Sequence, residues 1–404
     1  VVVLSWVSLC QDAAAEMLYP ILPLFLTSAL GAPPAVVGLV EGVAEATAAA
    51  GKAISGRLAD VRRRVPLVAW GYGISAVAKP LIGMATGWPL VLVARFLDRA
   101  GKGLRTSPRD ALISAATGPA SRGRAFGFHR AMDTAGAVIG PLLGLALYAA
   151  LGHRLRPLFF IAFLPAVLSV ALIKLVDEPP RAPDNRPPAT KDPLPAGYWR
   201  VVGFLTLFGL ANFSDALVIL RVHALGLGVS GVLLGYVLYN VSYAGLSFPA
   251  GAVSDRVPRH LVFAGGMGVF AAAYTGLGVV TTHSWVWLLL PLYGGFAALT
   301  DGVGKAWVAD LLPERAVGRG LGYYQAITGG AALLAGGWAG LAWGGSGRVP
   351  MVLSGAVAAV LTTALVLGGR MLVPLGPSEP SEPSGPSEPL APSEPSEPSE
   401  PNPA

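Results

Sequence analysis

The chain has 404 residues, of which 53% are hydrophobic and only 13% charged, with 52 glycines and a mean hydropathy of +0.59. A soluble domain carries about 25% charged residues to solvate its surface, so this composition excludes most soluble folds and reads as an integral membrane protein. The net charge of +6 does not argue for nucleic acid, because Lys and Arg of membrane proteins collect in cytoplasmic loops, and a lone Cys10 excludes an intramolecular disulfide or a Cys-rich metal cluster.

A helix needs about 20 apolar residues to cross a ~30 Å hydrocarbon core. In chain order such stretches lie at 1–27, 35–55, 65–86, 88–110, 124–151, 155–176, 199–222, 229–250, 259–281, 284–308, 321–345 and 349–371. Runs such as Leu158 to Val176 are continuously apolar, whereas the strands of a membrane barrel would alternate in polarity over about 10 residues. The expected fold class is therefore an all-α membrane protein of twelve transmembrane helices. The Pro-rich, charged stretch 177–198 reads as a cytoplasmic linker between a first six-helix bundle, 1–176, and a second, 199–371. Residues 372–404 repeat Pro-Ser-Glu without the apolar surface that would repay ordering entropy, and are expected to form a disordered tail.

The bases lie on one side of this topology. Arg57, Arg62, Arg63 and Arg64 follow span 2, Arg122 and Arg124 precede span 5, Arg256 and Arg259 join spans 8 and 9, and Arg315 and Arg319 join spans 10 and 11. The opposite loops hold little beyond Arg154, Arg156 and Arg348. The positive-inside bias then puts both termini in the cytoplasm of a multi-pass protein of the cell membrane. Span 1 opens at Val1 with no basic leader, so no cleavable signal is expected.

The two halves resemble each other. Gly56-Arg57-Leu58-Ala59-Asp60 after span 2 matches Gly251-Ala252-Val253-Ser254-Asp255-Arg256 after span 8, and the same interval relates Gly123-Arg124-Ala125-Phe126-Gly127 to Gly318-Arg319-Gly320-Leu321-Gly322. Asp98-Arg99-Ala100-Gly101-Lys102 of span 4 matches Asp301-Gly302-Val303-Gly304-Lys305 of span 10. Parallel repeats of six helices put solute sites at their interface near the bilayer midplane.

On these features residues 1–371 resemble a transporter of the major facilitator superfamily, most like its proton-coupled antiporter (efflux) branch. Three motifs carry the resemblance. The loop 2-3 signature stands as Gly56, Asp60, Arg62, Arg63 and Arg64. The span 4 signature Arg-x-x-Gln-Gly keeps Arg95 but has Asp98 and Arg99 in place of Gln and Gly. The span 5 antiporter signature appears as Gly127, Gly136, Gly140, Pro141 and Gly144, with Leu145 where its last Gly would be. The resemblance implies the fold of two pseudo-symmetric six-helix bundles and a monomer. It also implies a conformational latch at Asp60 and its arginines, with Asp255 and Arg256 at the repeat position, and a central cavity lined by spans 1, 4, 7 and 10.

Ionisable groups inside spans are costly and should face a wet interior. Span 1 has Asp12 and Glu16, span 2 Glu41, Glu45 and Lys52, span 3 Lys79, span 4 Arg95, Asp98, Arg99 and Lys102, and span 5 His129, Arg130 and Asp133. The second half holds fewer: Asn212 and Asp215 in span 7, Asn240 in span 8, and Asp301 and Lys305 in span 10. Residues three or four apart share a helix face, so Asp12 with Glu16 and Glu41 with Glu45 form acidic pairs facing a basic stripe of Arg95, Arg99, Lys102 and Arg109, with Asp98 able to pair with Lys102. Carboxylates that exchange partners between wet and dry states can carry protons, which makes Asp12, Glu16, Glu41, Glu45, Asp98 and Asp133 the coupling candidates. Arg95, Arg99, Lys102, Asn212, Asp215, Asp301 and Lys305 are the candidates for lining the solute cavity. The alternative for each is a structural ion network.

No Walker A sequence or Gly-x-Ser-x-Gly elbow occurs, and Gly226-Leu227-Gly228-Val229-Ser230-Gly231 sits in a turn with no strand before it, so no cofactor, metal or enzyme activity is expected. Three classes remain: a proton-coupled antiporter exporting a small polar or amphipathic solute, a symporter or uniporter importing a polar nutrient or organic anion, and a non-transporting receptor. Charges of both signs in the cavity suit a polar, zwitterionic or anionic solute.

Overall fold

The structure, a computed structural model, describes residues 1–117, 122–178, 193–313 and 316–372. Among them there is no strand, and the helices group into twelve spans. Span 1 is α1 (Val2–Leu18), α2 (Leu22–Leu24) and a wide π turn (Phe25–Ala29). Pro20 and Pro23 remove backbone donors at these joints, so the span is segmented rather than the single helix its hydropathy suggested. Spans 2 to 5 are α3 (Pro34–Val61), α4 (Arg64–Met84), α5 (Trp88–Ala115) and α6 (Arg122–Ala150), and span 6 is α7 (Arg156–Ile161) with α8 (Phe163–Ile173).

In the second half, span 7 breaks at Asn212 into α9 (Ala196–Ala211) and α10 (Asp215–Ala224), where Ser214 Oγ caps the new helix by accepting from Ala216 N at 3.3 Å. Spans 8 to 12 follow as α11 (Val229–Ser254), α12 (Arg259–Val279), α13 (Val286–Asp310), α14 (Val317–Leu341) and α15 (Arg348–Leu372). By length and composition alone, 8 spans among the described residues are long and apolar enough to cross a membrane. The rest are the segmented span 1, the charged α3 and α5 and the glycine-rich α14. These elements supply most of the interior charge and the seam between the halves.

In the first half α1 packs on α6 and α8, and α5 lies between α3 and α4; in the second, α13 contacts α11 and α12, and α12 packs on α15. The halves meet along α3–α14 and α6–α11. The α3–α14 seam is glycine against glycine: a Cβ on Gly336 would lie 2.6 Å from Gly38 O, and one on Gly340 would lie 2.6 Å from Ala35 Cα. This contact continues through Gly42 beside Leu333 to Gly329 beside Ala49, so it covers the first half of α3 and the second half of α14, the halves remote from the basic loops.

Candidate functional site

In the first half, spacing along α3 and α5 turns four charges toward each other. Arg95 donates to Glu41 through Nη2 at 2.7 Å to both carboxylate oxygens and through Nε at 3.0 Å to Oε1. Its Nη1 reaches Asp98 Oδ2 at 3.3 Å, and Lys79 Nζ of α4 stands 3.9 Å from Asp98 Oδ1. The partners of Asp98 are thus Arg95 and Lys79; the sequence had offered Lys102. Lys79 also donates to Ser75 O, and Ser75 Oγ bridges to Asp98 O while accepting from Arg105 Nη1 at 2.7 Å. Glu41, Arg95, Asp98 and Lys79 are all buried.

One turn along α3 the environment changes. Glu45 pairs with Arg99 at 3.7 Å, but its side chain is 50% exposed, against 2% for Glu41. Lys52 and Lys102 are half-buried, and Lys305 and Asp301 of α13 are exposed. Lys52 of α3 lies within electrostatic range of Lys102 of α5 and of Lys305 of α13, so cations of both halves come near it. The halves are packed on glycine at the end remote from the basic loops, and the exposed Asp301 and Lys305 lie toward the end of α13 that leads into loop 10-11.

The second half contributes a different wall. Tyr236, Tyr239 and Tyr243 fall on one face of α11, with stacked rings 5.6 and 6.3 Å apart, and Tyr239 stacks on Tyr293 of α13 at 5.2 Å. Each hydroxyl reaches a carboxylate: Tyr236 donates to Glu16 Oε2 at 2.8 Å, Tyr239 to Asp215 Oδ2 at 3.4 Å, Tyr293 to Asp215 Oδ1 at 2.5 Å and Tyr243 to Asp301 Oδ2 at 2.9 Å. The Tyr236–Glu16 bond crosses from one half to the other, and Tyr19 of span 1 packs 5.6 Å from Tyr236 beside it.

The candidate acids therefore separate. Glu16 and Glu45 lie at contacts between the halves, Glu16 on Tyr236 of α11 and Glu45 beside Gly329 of α14, whereas Asp215 and Asp301 sit on the tyrosines of the second half. Asp12 and Asp133 lie on the α1–α6 contact: Asp133 is 3.6 Å from His129 Nε2, His129 meets Ser5 of α1 at 3.3 Å, and a Cβ on Gly136 would come 3.0 Å from Asp12 Cβ. Gly136, Gly140 and Gly144 all face α1, whose backbone passes beside Ala13 and Met17, so these motif glycines pack inside the first half. Asn212 sits at the break in span 7, and Asp255 and Arg256 are exposed at the end of α11.

At the loop 2-3 end, Glu178 of the linker accepts from Arg64 N at 2.7 Å and Val65 N at 3.4 Å and pairs with Arg63 at 3.4 Å, an acid on the positive end of α4. The side chains of Asp60 and Phe126, and the surroundings of Gly127, fall outside the described residues. So do the tail from 373 onward and most of the linker. Sequence reasoning passed over the tyrosines of α11 and α13, Lys79 as a partner of Asp98, and Glu178 as a loop clasp. Only the spacing of Tyr236, Tyr239 and Tyr243 on one helix face could have signalled the first.

Comparison with known proteins follows the same outline. A family model described as Major Facilitator Superfamily matches residues 4–213 and 200–398. An uncharacterized MFS-type transporter of Methanocaldococcus jannaschii is 33% identical over 377 residues, covering 91% of this chain and 94% of that protein. The multidrug resistance protein MdtH of Photorhabdus laumondii is 30% identical over 128 residues, 32% of each chain. Among solved structures, a bacterial homolog of the human lysosomal transporter Spinster, inward-facing and unoccupied, superposes with a TM-score of 0.72 at 17% identity, over 92% of this chain and 96% of that one.

Proposed function

The chain belongs to the major facilitator superfamily, and we propose that it carries a small polar or amphipathic solute across the cell membrane by alternating access, as a proton-coupled antiporter acting in efflux. The observation that carries this reading is a glycine-packed contact between the halves remote from the basic loops, with the half-exposed Glu45–Arg99 pair beside it and exposed Asp301 and Lys305 toward those loops, which we read as a central space open at the basic-loop end. A carboxylate that is wet and loosely paired in one state can gain and lose a proton as the halves rock, whereas Glu41, held by three hydrogen bonds, cannot do so without dismantling the network. The partial likeness to a multidrug resistance protein supports efflux. With the open end taken as cytoplasmic from the basic loops, the Asp60 and Asp255 regions would latch the opposite, outward-facing state.

Purified protein in liposomes with an imposed pH gradient, tested against a panel of solutes, decides the reading: solute should move against the proton flux. Movement with the protons, or without any gradient, would replace it by import of an organic anion. That second reading is favoured by Lys52 having Lys102 and Lys305 within electrostatic range.

A further inference from the structure

Of the three tyrosines on one face of α11, two bond within their own half: Tyr239 donates to Asp215 and Tyr243 to Asp301. Tyr236 alone reaches across, donating to Glu16 of span 1 at 2.8 Å. It stands near the start of α11, the end remote from the Arg256 loop. The bond therefore ties the halves at the same end as the glycine seam. Beside it lies Tyr19, which follows α1 directly and precedes Pro20. The Tyr19 ring has neighbours from both halves. The Tyr236 ring is 5.6 Å away, and the Arg95 guanidinium of α5 stands 5.9 Å from the Tyr19 ring centroid. These separations suit an aromatic pair and a cation over a ring face.

The contacts continue on either side. Arg95 is held by Glu41 and Asp98, while Tyr236 stacks on Tyr239, which bonds Asp215. A contiguous run thus joins the buried ion network of the first half to the tyrosine wall of the second, and Tyr19 is one of the residues where it crosses. An aliphatic side chain would fill this interface as well. It would offer no face to a guanidinium whose hydrogen bonds all go to carboxylates. Whatever alters the hold of Asp98 on Arg95 alters the seat of the Tyr19 ring, and with it the fit of that ring against Tyr236.

We propose that Tyr19 is a positioning residue of the transport cycle: it makes closure of the end remote from the basic loops, where Tyr236 bonds Glu16, depend on how Arg95 is held by its acids. The proposal rests on the alternating-access reading above and adds to it the residue through which the two halves act on each other. Coupling of this kind is carried by packed side chains with two arrangements, and it shows as non-additivity between substitutions along the run.

The test is a spin-label distance measurement on the full-length protein in nanodiscs, in a Cys10→Ser background with labels at Pro33→Cys and Gly345→Cys, both exposed. Tyr236→Phe removes the bond and keeps the ring, and should raise the ratio of long to short distances about threefold or more. Tyr19→Leu should raise it similarly, whereas Tyr19→Phe, which keeps the ring face, should leave it as in the parent. Asp98→Asn should change the ratio about threefold in the parent and far less in Tyr19→Leu, the non-additivity of residues in one network. An equal effect of Asp98→Asn in both backgrounds, no effect in either, no shift in Tyr236→Phe, or Tyr19→Phe behaving as Tyr19→Leu would each overturn the proposal. Should Asp98→Asn not fold, Tyr236→Phe and the Tyr19 pair still decide it. Neither gradient nor solute enters this measurement, so failure of gradient-driven transport with these shifts intact would sink the antiport reading alone.

Discussion

Glu41 and Glu45 are one helical turn apart, and along the sequence they read as equivalent acids. The structure makes them opposites. Glu41 and Arg95 are both nearly inaccessible, and removing one partner of such a pair strands a buried charge at a cost of about 3–5 kcal/mol. Glu41→Gln should therefore lower the unfolding midpoint of the detergent-solubilised protein markedly, in thermal denaturation followed by dye binding to Cys10. Glu45, half exposed, should tolerate Gln with a loss below about 1 kcal/mol, yet Glu45→Gln should abolish pH-gradient-driven transport while solute counterflow survives. Asp98→Asn would leave Arg95 and Lys79 sharing one fewer anion, and Glu16→Gln would remove the acceptor of Tyr236 across the halves. Both are expected to impair gradient-driven transport more than counterflow. Wild-type coupling in all three variants would make these acids structural. The charges themselves were legible in the sequence, because an acid in an apolar run is conspicuous. Their partners were not, since periodicity shows which residues share a face of one helix but not which helix that face meets.

At the scale of elements, two kinds of glycine contact are distinguishable by where they lie. Gly140 in α6 packs on α1 within one half, where an added Cβ would stand 2.6 Å from Ala13 O and 2.9 Å from Met17 N. Gly336 in α14 packs on α3 across the halves. Gly140→Ala should act as overpacking of a rigid unit, costing about 1–3 kcal/mol of stability with the coupling unchanged. Gly336→Ala should pry apart a joint between moving bodies and shift the population toward the state open at the other end. Spin labels at Pro33→Cys and Gly345→Cys, in the loops beyond the seam, should report a longer distance in Gly336→Ala and no change in Gly140→Ala. An unchanged distance in both would show that the seam yields locally and does not govern the opening. The antiporter-like run of glycines was visible in the sequence as a motif, but small residues at helical spacing announce only a close approach; the partner helix, α1, comes from the fold. The breaks in spans 1 and 7 were equally hidden, because hydropathy continues smoothly across Pro20, Pro23 and the Asn212–Ser214 joint.

For the whole molecule, the basic loops set the expected orientation, and the packing of the halves sets which end is closed in it. Lys and Arg resist translocation, so Arg63, Arg256 and Arg259 are expected on the cytoplasmic side. The packing of α3 on α14 closes the end remote from those residues, and the exposed Asp301 and Lys305 lie toward the end of α13 that leads into the basic loop 10-11. In a background with Cys10→Ser, which removes the single native thiol, Arg63→Cys should react with a membrane-impermeant maleimide in inside-out vesicles and stay unreacted in intact cells. Lys305→Cys should follow the same pattern but more slowly, being reached through the open space, and should be protected when solute fills it. Both positions are exposed side chains, so neither substitution removes packing. Reaction of Arg63→Cys from outside the cell would invert the orientation and remove the basis for reading the open end as cytoplasmic. Reaction of Lys305→Cys from outside alone, with Arg63→Cys still cytoplasmic, would instead keep the topology and show that the protein rests in the membrane with its outward side open.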